Sequence, residues 1–432
     1  MAWKLILIIL LVLAVSISPR LHIGSLGTGR SVDLRYEDFL ILLILIIWIA
    51  HLCMQDRKKI YVSPLFKPIM IYTILATLST CMGVILGYIV PSMAIFFYIK
   101  EVQYFLTFAV IINFIKTYND LMAVTYTLLL CAIANGVYSL YQIVSGKFLA
   151  AAAGYYGIAS IGELSSFSTG GYFAIVFLLS TAVFLTIKRK NMKLVPIISV
   201  VLTGIGLLAS GSRANVVGAI LSLPILMIII FKDLIKNKRI IYMALIVIGI
   251  SIAFYYFVNI ASVNKVKSIF NRITDVDKMK TSLVEERAKP IFTPLLDLFQ
   301  ESPLFGFGKT FTTTIVGGTW EAHNYYLRIL VEMGIFGLMS FLYMLFSIIR
   351  MSLKLILNNQ FALAKGLGLG CLSATLSLMI ASVAQDAFLT VKVNEIFWIS
   401  VGLSASAYKL NSLKDQVKIV YSGEMQVDFA KK

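Results

Sequence analysis

Residues 324–349, NYYLRILVEMGIFGLMSFLYMLFSII, decide the fold. Only Arg328 and Glu332 are charged in a run that, at about 1.5 Å per helical residue, crosses roughly 30 Å of hydrocarbon. Those two lie four apart on one helix face, the spacing at which opposite charges neutralise each other. Gly334 and Gly337 supply small surfaces for close helix packing. Similar apolar blocks lie at 3–17, 39–54, 66–90, 92–115, 121–144, 170–187, 194–209, 215–231, 240–258, 361–384 and 393–410. Hydrophobic residues make up 59% of the 432 against 14% charged, which excludes a single water-soluble domain. With a mean hydropathy of +0.89, the pattern predicts an all-α membrane protein of about twelve transmembrane helices.

The 38 basic and 21 acidic residues leave a net charge of +17. Position argues against nucleic acid as the partner. Arg57, Lys58 and Lys59; Lys188, Arg189, Lys190 and Lys193; and Lys232, Lys236, Lys238 and Arg239 all sit in short tracts between apolar blocks. Such retained basic loops mark a cytoplasmic side. Lys116, Arg350, Lys354 and the Lys409-to-Lys432 tail fall on that side as well, so both termini are expected in the cytoplasm. The first block, with Lys4 and Ala14-Val15-Ser16, has the look of a signal peptide too, although the blocks after it need no cleaved leader.

This reading divides the chain into spans one to nine over 1–258, a long extracytoplasmic loop with short surface helices over 259–322, spans ten to twelve over 323–410, and a cytoplasmic tail over 411–432. The loop holds Pro290, Pro294, an apolar run at 291–299 and then Ser302-Pro303-Leu304-Phe305-Gly306-Phe307-Gly308. That order predicts a short helix near the membrane surface, a tight glycine turn and a descent into the next span. Cys53, Cys81, Cys131 and Cys371 are scattered, and His22, His51 and His323 form no paired ligand set. Neither a disulfide framework nor a metal or cofactor motif is indicated.

Four constellations carry possible chemistry. Ser210-Gly211-Ser212-Arg213 stands at the junction of two spans, where a serine can cap the new helix and its N-terminal amides face outward beside a guanidinium. Such an arrangement suits a phosphate, and it equally suits an arginine that snorkels to lipid headgroups. His323 opens the span quoted above, where a near-neutral imidazole can take a proton from a hydroxyl or simply serve structure. Arg287 lies in a charged run, Glu285-Glu286-Arg287-Ala288-Lys289, which is either a solvated face or a segment folded back over the membrane. Lys100 and Glu101 are adjacent near mid-span; neighbours at i and i+1 do not face each other, so each needs another partner or a water-filled cavity.

Taken in order, Ser-Gly-Ser-Arg before one span, an arginine followed by Pro-Leu-Phe-Gly-Phe-Gly, and His-Asn-Tyr-Tyr-Leu opening the next resemble the O-antigen ligase and polymerase superfamily over roughly residues 204–345. The resemblance implies a metal-independent, inverting glycosyltransferase of the GT-C type, without cofactor, at the periplasmic face of a bacterial inner membrane. It implies an undecaprenyl-diphosphate-linked glycan as donor, with lipid A core or a lipid-linked glycan as acceptor. Arg213 and Arg287 match the family's diphosphate-binding arginines and His323 its catalytic histidine. Ligase and polymerase share that leaving group. No arginine-and-glycine loop signature of the polymerase begins at Arg213 or Arg287, which tilts the expectation toward ligase. A secondary transporter or flippase is the rival outside enzymes, opposed by the lack of an internal repeat.

Overall fold

The computed structural model describes residues 2–26, 30–54, 60–147, 149–150, 156–161, 163, 165–236, 290–315, 322–358 and 361–429. The helices there are α1 (Ala2–Ile17), α2 (Tyr36–Cys53), α3 (Phe66–Ile85), α4 (Pro91–Phe114), α5 (Tyr118–Ser145), α6 (Ser166–Thr186), α7 (Leu194–Ala209), α8 (Arg213–Lys236), α9 (Thr293–Glu301), α10 (Phe311–Ile315), α11 (Tyr325–Leu357), α12 (Ala362–Ala381) and α13 (Val391–Phe429). Eight are long and apolar enough to cross a membrane: α2 to α7, α11 and α12. The apolar stretches of α1 and α8 are shorter, and α13 opens with Lys392 and Glu395. Length and composition alone support eight spans among the described residues. The expected span at 240–258 and the loop residues 259–289 and 316–321 lie outside those residues. Past Leu410, where a tail is expected, α13 continues as helix to Phe429.

An apolar helix that presents no polar face must be surrounded by other helices. α6 meets that condition, its apolar window being wholly buried, and it packs against α7, α8, α12 and α13. At one end of the bundle Tyr118 stacks on Phe361 with ring centroids 4.5 Å apart, the Tyr126 hydroxyl donates to Met192 O, and Lys409 Nζ donates to Ile115 O at 2.9 Å. The basic tract 188–193 and Lys116 belong to this end by chain order. The junctions α7–α8 and α12–α13 and the start of α11 lie at the other.

Between α1 and α2 lies an antiparallel strand pair, β1 (Arg20–Leu26) with β2 (Arg30–Arg35). Its base is tied down by charge. Arg20 and Arg35 both donate to the Glu163 carboxylate, Arg20 also pairs with Asp33 at 3.6 Å, and Arg35 with Glu37 at 3.7 Å. Burial alone would raise the Glu163 carboxyl, but Arg35, Arg20 and Lys392 outweigh it and hold the group below its ordinary 4.5.

The helix quoted at the outset is broken. Gly334 sits at φ 66°, ψ −169° inside α11, and residues 303–308 fill the gap. Phe307 N and Gly308 N donate to Val331 O (3.0 Å) and Glu332 O (2.8 Å), while Ile335 N and Phe336 N donate to Pro303 O (2.9 Å) and Leu304 O (3.4 Å). Those are the carbonyls and amides that would have bonded to each other, 331 to 335 and 332 to 336, in an unbroken helix. Ser79 Oγ of α3 adds a second bond to Glu332 O at 2.6 Å. The surface helix is present as α9, but the glycine segment after it is inserted between α3 and α11 rather than laid over them. A Cβ on Gly83 would meet Phe307 O at 2.2 Å. Gly334 is thus needed for its backbone, not for the helix packing expected of it.

Two outcomes are expected. Gly334→Ala meets both a positive φ and Leu304 O at 2.2 Å from the added Cβ, whereas Gly87→Ala has positive φ and open space. The Gly87 variant should lose about 1–2 kcal/mol and the Gly334 variant clearly more, read as apparent melting temperature in detergent. Because its folded pKa is depressed, Glu163 stabilises the fold fully above its unfolded value of 4.5 and loses that contribution as pH falls through the lower folded value. Glu163→Gln should be less stable at neutral pH by about 3–5 kcal/mol and should lack that acid-dependent loss, measured by melting across pH.

Candidate active site

The His-Asn pair opens α11 for a local reason. Asn324 is the N-cap, its Oδ1 accepting from Tyr326 N (3.0 Å) and Leu327 N (3.1 Å). His323 is therefore outside the helix, one position before the cap rather than in the first turn, and it holds a left-handed backbone at φ 51°. A non-glycine residue there costs on the order of 1–3 kcal/mol and persists only where its surroundings impose it. They do so here: Tyr325 N donates to Ser382 O at 2.9 Å and the Tyr326 hydroxyl to Met379 O at 2.8 Å, locking the start of α11 onto the end of α12.

Immediately beyond α12, Gln385 and Asp386 line a cavity of about 20 Å³ together with His323, walled by Phe167 and Val393. Gln385 is also the link to α8. Its Nε2 donates to Asn215 Oδ1 at 2.8 Å, and its Oε1 accepts from Ser212 Oγ and Asn215 Nδ2, both at 3.4 Å. Asn215 Nδ2 further donates to Ser212 Oγ (2.8 Å) and to Phe167 O (3.2 Å). Ser212 is thus committed sideways to Asn215 and Gln385 rather than to a backbone cap. Arg213, between these two residues, is partly buried, and its buried Nε has no hydrogen-bond partner among the described residues. Gln385 thus bonds Ser212 and Asn215, which flank Arg213 in the chain, and lines the cavity with His323. Arg287 lies outside the described residues.

A turn deeper, Arg328 joins three segments. Its guanidinium pairs with Glu332 at 3.0 Å, as the i, i+4 spacing predicts, and it also reaches Thr313 Oγ1 of α10 at 2.7 Å and Asp386 at 3.4 Å. Beyond it is a larger cavity of about 60 Å³ between α3, α4, α11 and α13, lined by Lys100, Glu101, Lys309, Arg328 and Glu332. That volume accommodates one or two waters. The adjacent charges of α4 separate as their geometry requires: Lys100 pairs with Asp38 of α2, whereas Glu101 pairs with Lys309 and accepts from the Tyr72 hydroxyl at 2.7 Å. Gln103 Nε2 donates to Asp38 Oδ1 at 2.7 Å and to Glu395 at 3.4 Å. Among the described residues no three His, Cys, Asp or Glu side chains form a group that could hold a metal ion.

Residues 198–342 match a family model described as O-antigen ligase. The matched segment holds the motifs by which the sequence resembles that family. No curated protein matches the chain. The matched segment contains Arg213, Arg287, Lys309, His323 and Arg328, while Gln385 and Asp386 lie beyond it and Lys100 and Glu101 ahead of it. The eight long apolar helices among the described residues fit a multi-pass membrane protein.

Sequence reading missed Gln385, Asp386 and Lys309. The first two directly follow the 361–384 block and Lys309 directly follows the glycine motif, so a polar residue abutting an apolar run was the available signal. Gln385→Ala should orphan the buried Asn215 and Ser212 groups and cost about 1–3 kcal/mol. Ser212→Ala, which leaves the Asn215–Gln385 amide pair in place, should cost less; melting of both variants in detergent checks the order.

Proposed function

We propose that the protein transfers a glycan from undecaprenyl diphosphate to an acceptor hydroxyl, in the manner of an O-antigen ligase. What supports this is Gln385, which bonds the residues on either side of Arg213, a cation with an uncommitted donor, and lines a cavity with His323, an imidazole held in an imposed backbone conformation. The hydroxyl oxygen attacks the anomeric carbon, the bond from that carbon to the diphosphate breaks, and its electron pair leaves with the phosphate. His323 takes the hydroxyl proton. Arg213, at the N-terminus of α8, stabilises the charge that grows on the departing oxygen, and Arg287 adds a second guanidinium from the loop. Two arginines then supply the stabilisation that a divalent metal gives elsewhere, so the transfer is metal-independent, and attack opposite the leaving group makes it inverting.

The end of the bundle carrying Lys116 and residues 188–193 takes the cytoplasmic side, with both chain termini, by the positive-inside rule. The cluster around Gln385 then faces the periplasm of a bacterial inner membrane, where lipid-linked glycans are presented.

Purified protein supplied with an undecaprenyl-diphosphate glycan and a hydroxyl acceptor should form product. Arg213→Ala should lower the rate about 10²-fold or more and His323→Ala about 10²–10⁴-fold. Undiminished product from His323→Ala would remove it as the base; no product with any acceptor, alongside ion-coupled uptake in liposomes, would favour a transporter. Attachment to lipid A core identifies a ligase, and a ladder of lengthened lipid-linked chains a polymerase.

A further inference from the structure

We propose that Asp386 is a positioning residue for His323, and that Arg328 braces its carboxylate and sets how much of its charge the imidazole feels. The inference rests on His323 acting as the base. Three observations meet here. His323 and Asp386 line one cavity of about 20 Å³, room enough for a water that could bridge them. They are the titratable residues among those lining it. Asp386 itself is buried, with its Oδ2 turned to Arg328 Nη1 at 3.4 Å.

A buried carboxylate beside an imidazole fixes the ring's orientation and favours its protonated form, which is what a base needs as it receives a proton. Left uncompensated, the same carboxylate would hold His323 protonated before the reaction and so silence it. Arg328 of α11 offsets it, and Glu332 in turn shares Arg328. On α8, Asn215 bonds Gln385 of the cavity wall and lies two residues from Arg213; on α13, Lys392 is committed to Ile161 O. The balance among Asp386, Arg328 and Glu332 therefore tunes the base, and Asp386 lies outside the O-antigen ligase segment.

The rate should rise with pH as His323 loses its proton. Asp386→Asn keeps the shape and removes the charge, so it should lower the plateau rate and move the acid limb down by on the order of one pH unit. Arg328→Gln should move the limb up, and Arg328→Lys should return it toward the wild-type position. A structural role alone predicts lower rates with no movement of the limb. A second measurement does not need turnover: acylation of His323 by diethyl pyrocarbonate across pH, followed by mass spectrometry of its peptide, reads the same protonation midpoint in each variant. Movement of that midpoint in opposite directions in Asp386→Asn and Arg328→Gln supports the proposal. A midpoint unchanged in Asp386→Asn overturns it. If the midpoints move while the wild-type enzyme transfers no glycan, the coupling stands and it is the transferase reading that falls.

Discussion

A backbone amide or carbonyl in hydrocarbon has no water to bond, and each one left bare costs several kcal/mol. The interruption of α11 at Gly334 frees such groups in the middle of a span, and the structure around it exists to satisfy them. Residues 303–308 supply donors to Val331 and Glu332 and acceptors to Ile335 and Phe336. Once this segment is fixed, Lys309 and Thr310 have little freedom, and Lys309 arrives at Glu101 and Tyr72. A loop that reads as extramembrane becomes part of the interior and carries a cation with it.

The ionised side chains inside the bundle follow the same rule. Lys100, Glu101, Lys309, Arg328 and Glu332 each have an opposite charge in reach and line a cavity with room for water. Pairing of this kind adds little net stability, since desolvation offsets the attraction, but removing one partner strands the other. The pairs therefore hold geometry. Arg328 does so most directly, because it connects the broken helix, the short helix α10 and the segment that closes the His323 cavity.

Local patterns were legible. Apolar blocks gave the helices, and the i, i+4 spacing gave the Arg328–Glu332 pair. What escaped is non-local. Lys100 finds Asp38 62 residues away and Glu101 finds Lys309 at a separation of 208, and no periodicity encodes such distances. Two glycines three apart resemble a packing surface, whereas only the incoming 303–308 segment reveals that Gly334 is a break. The hairpin at Arg20–Leu26 and Arg30–Arg35 is brief and polar, and its anchor, Glu163, sits in another connection. Arg213 and His323 were singled out separately by their motifs; Gln385, which bonds the neighbours of the first and lines the cavity of the second, lies beyond those motifs.

That junction has a consequence for biogenesis. Ser382, Gln385 and Asp386 leave the ribosome after α8 and α11, the two helices whose starts they tie down. Until α12 has been threaded into the bilayer, Asn215, Tyr325 and Arg328 lack these partners. The backbone around His323 is therefore imposed late, by a helix synthesised after it.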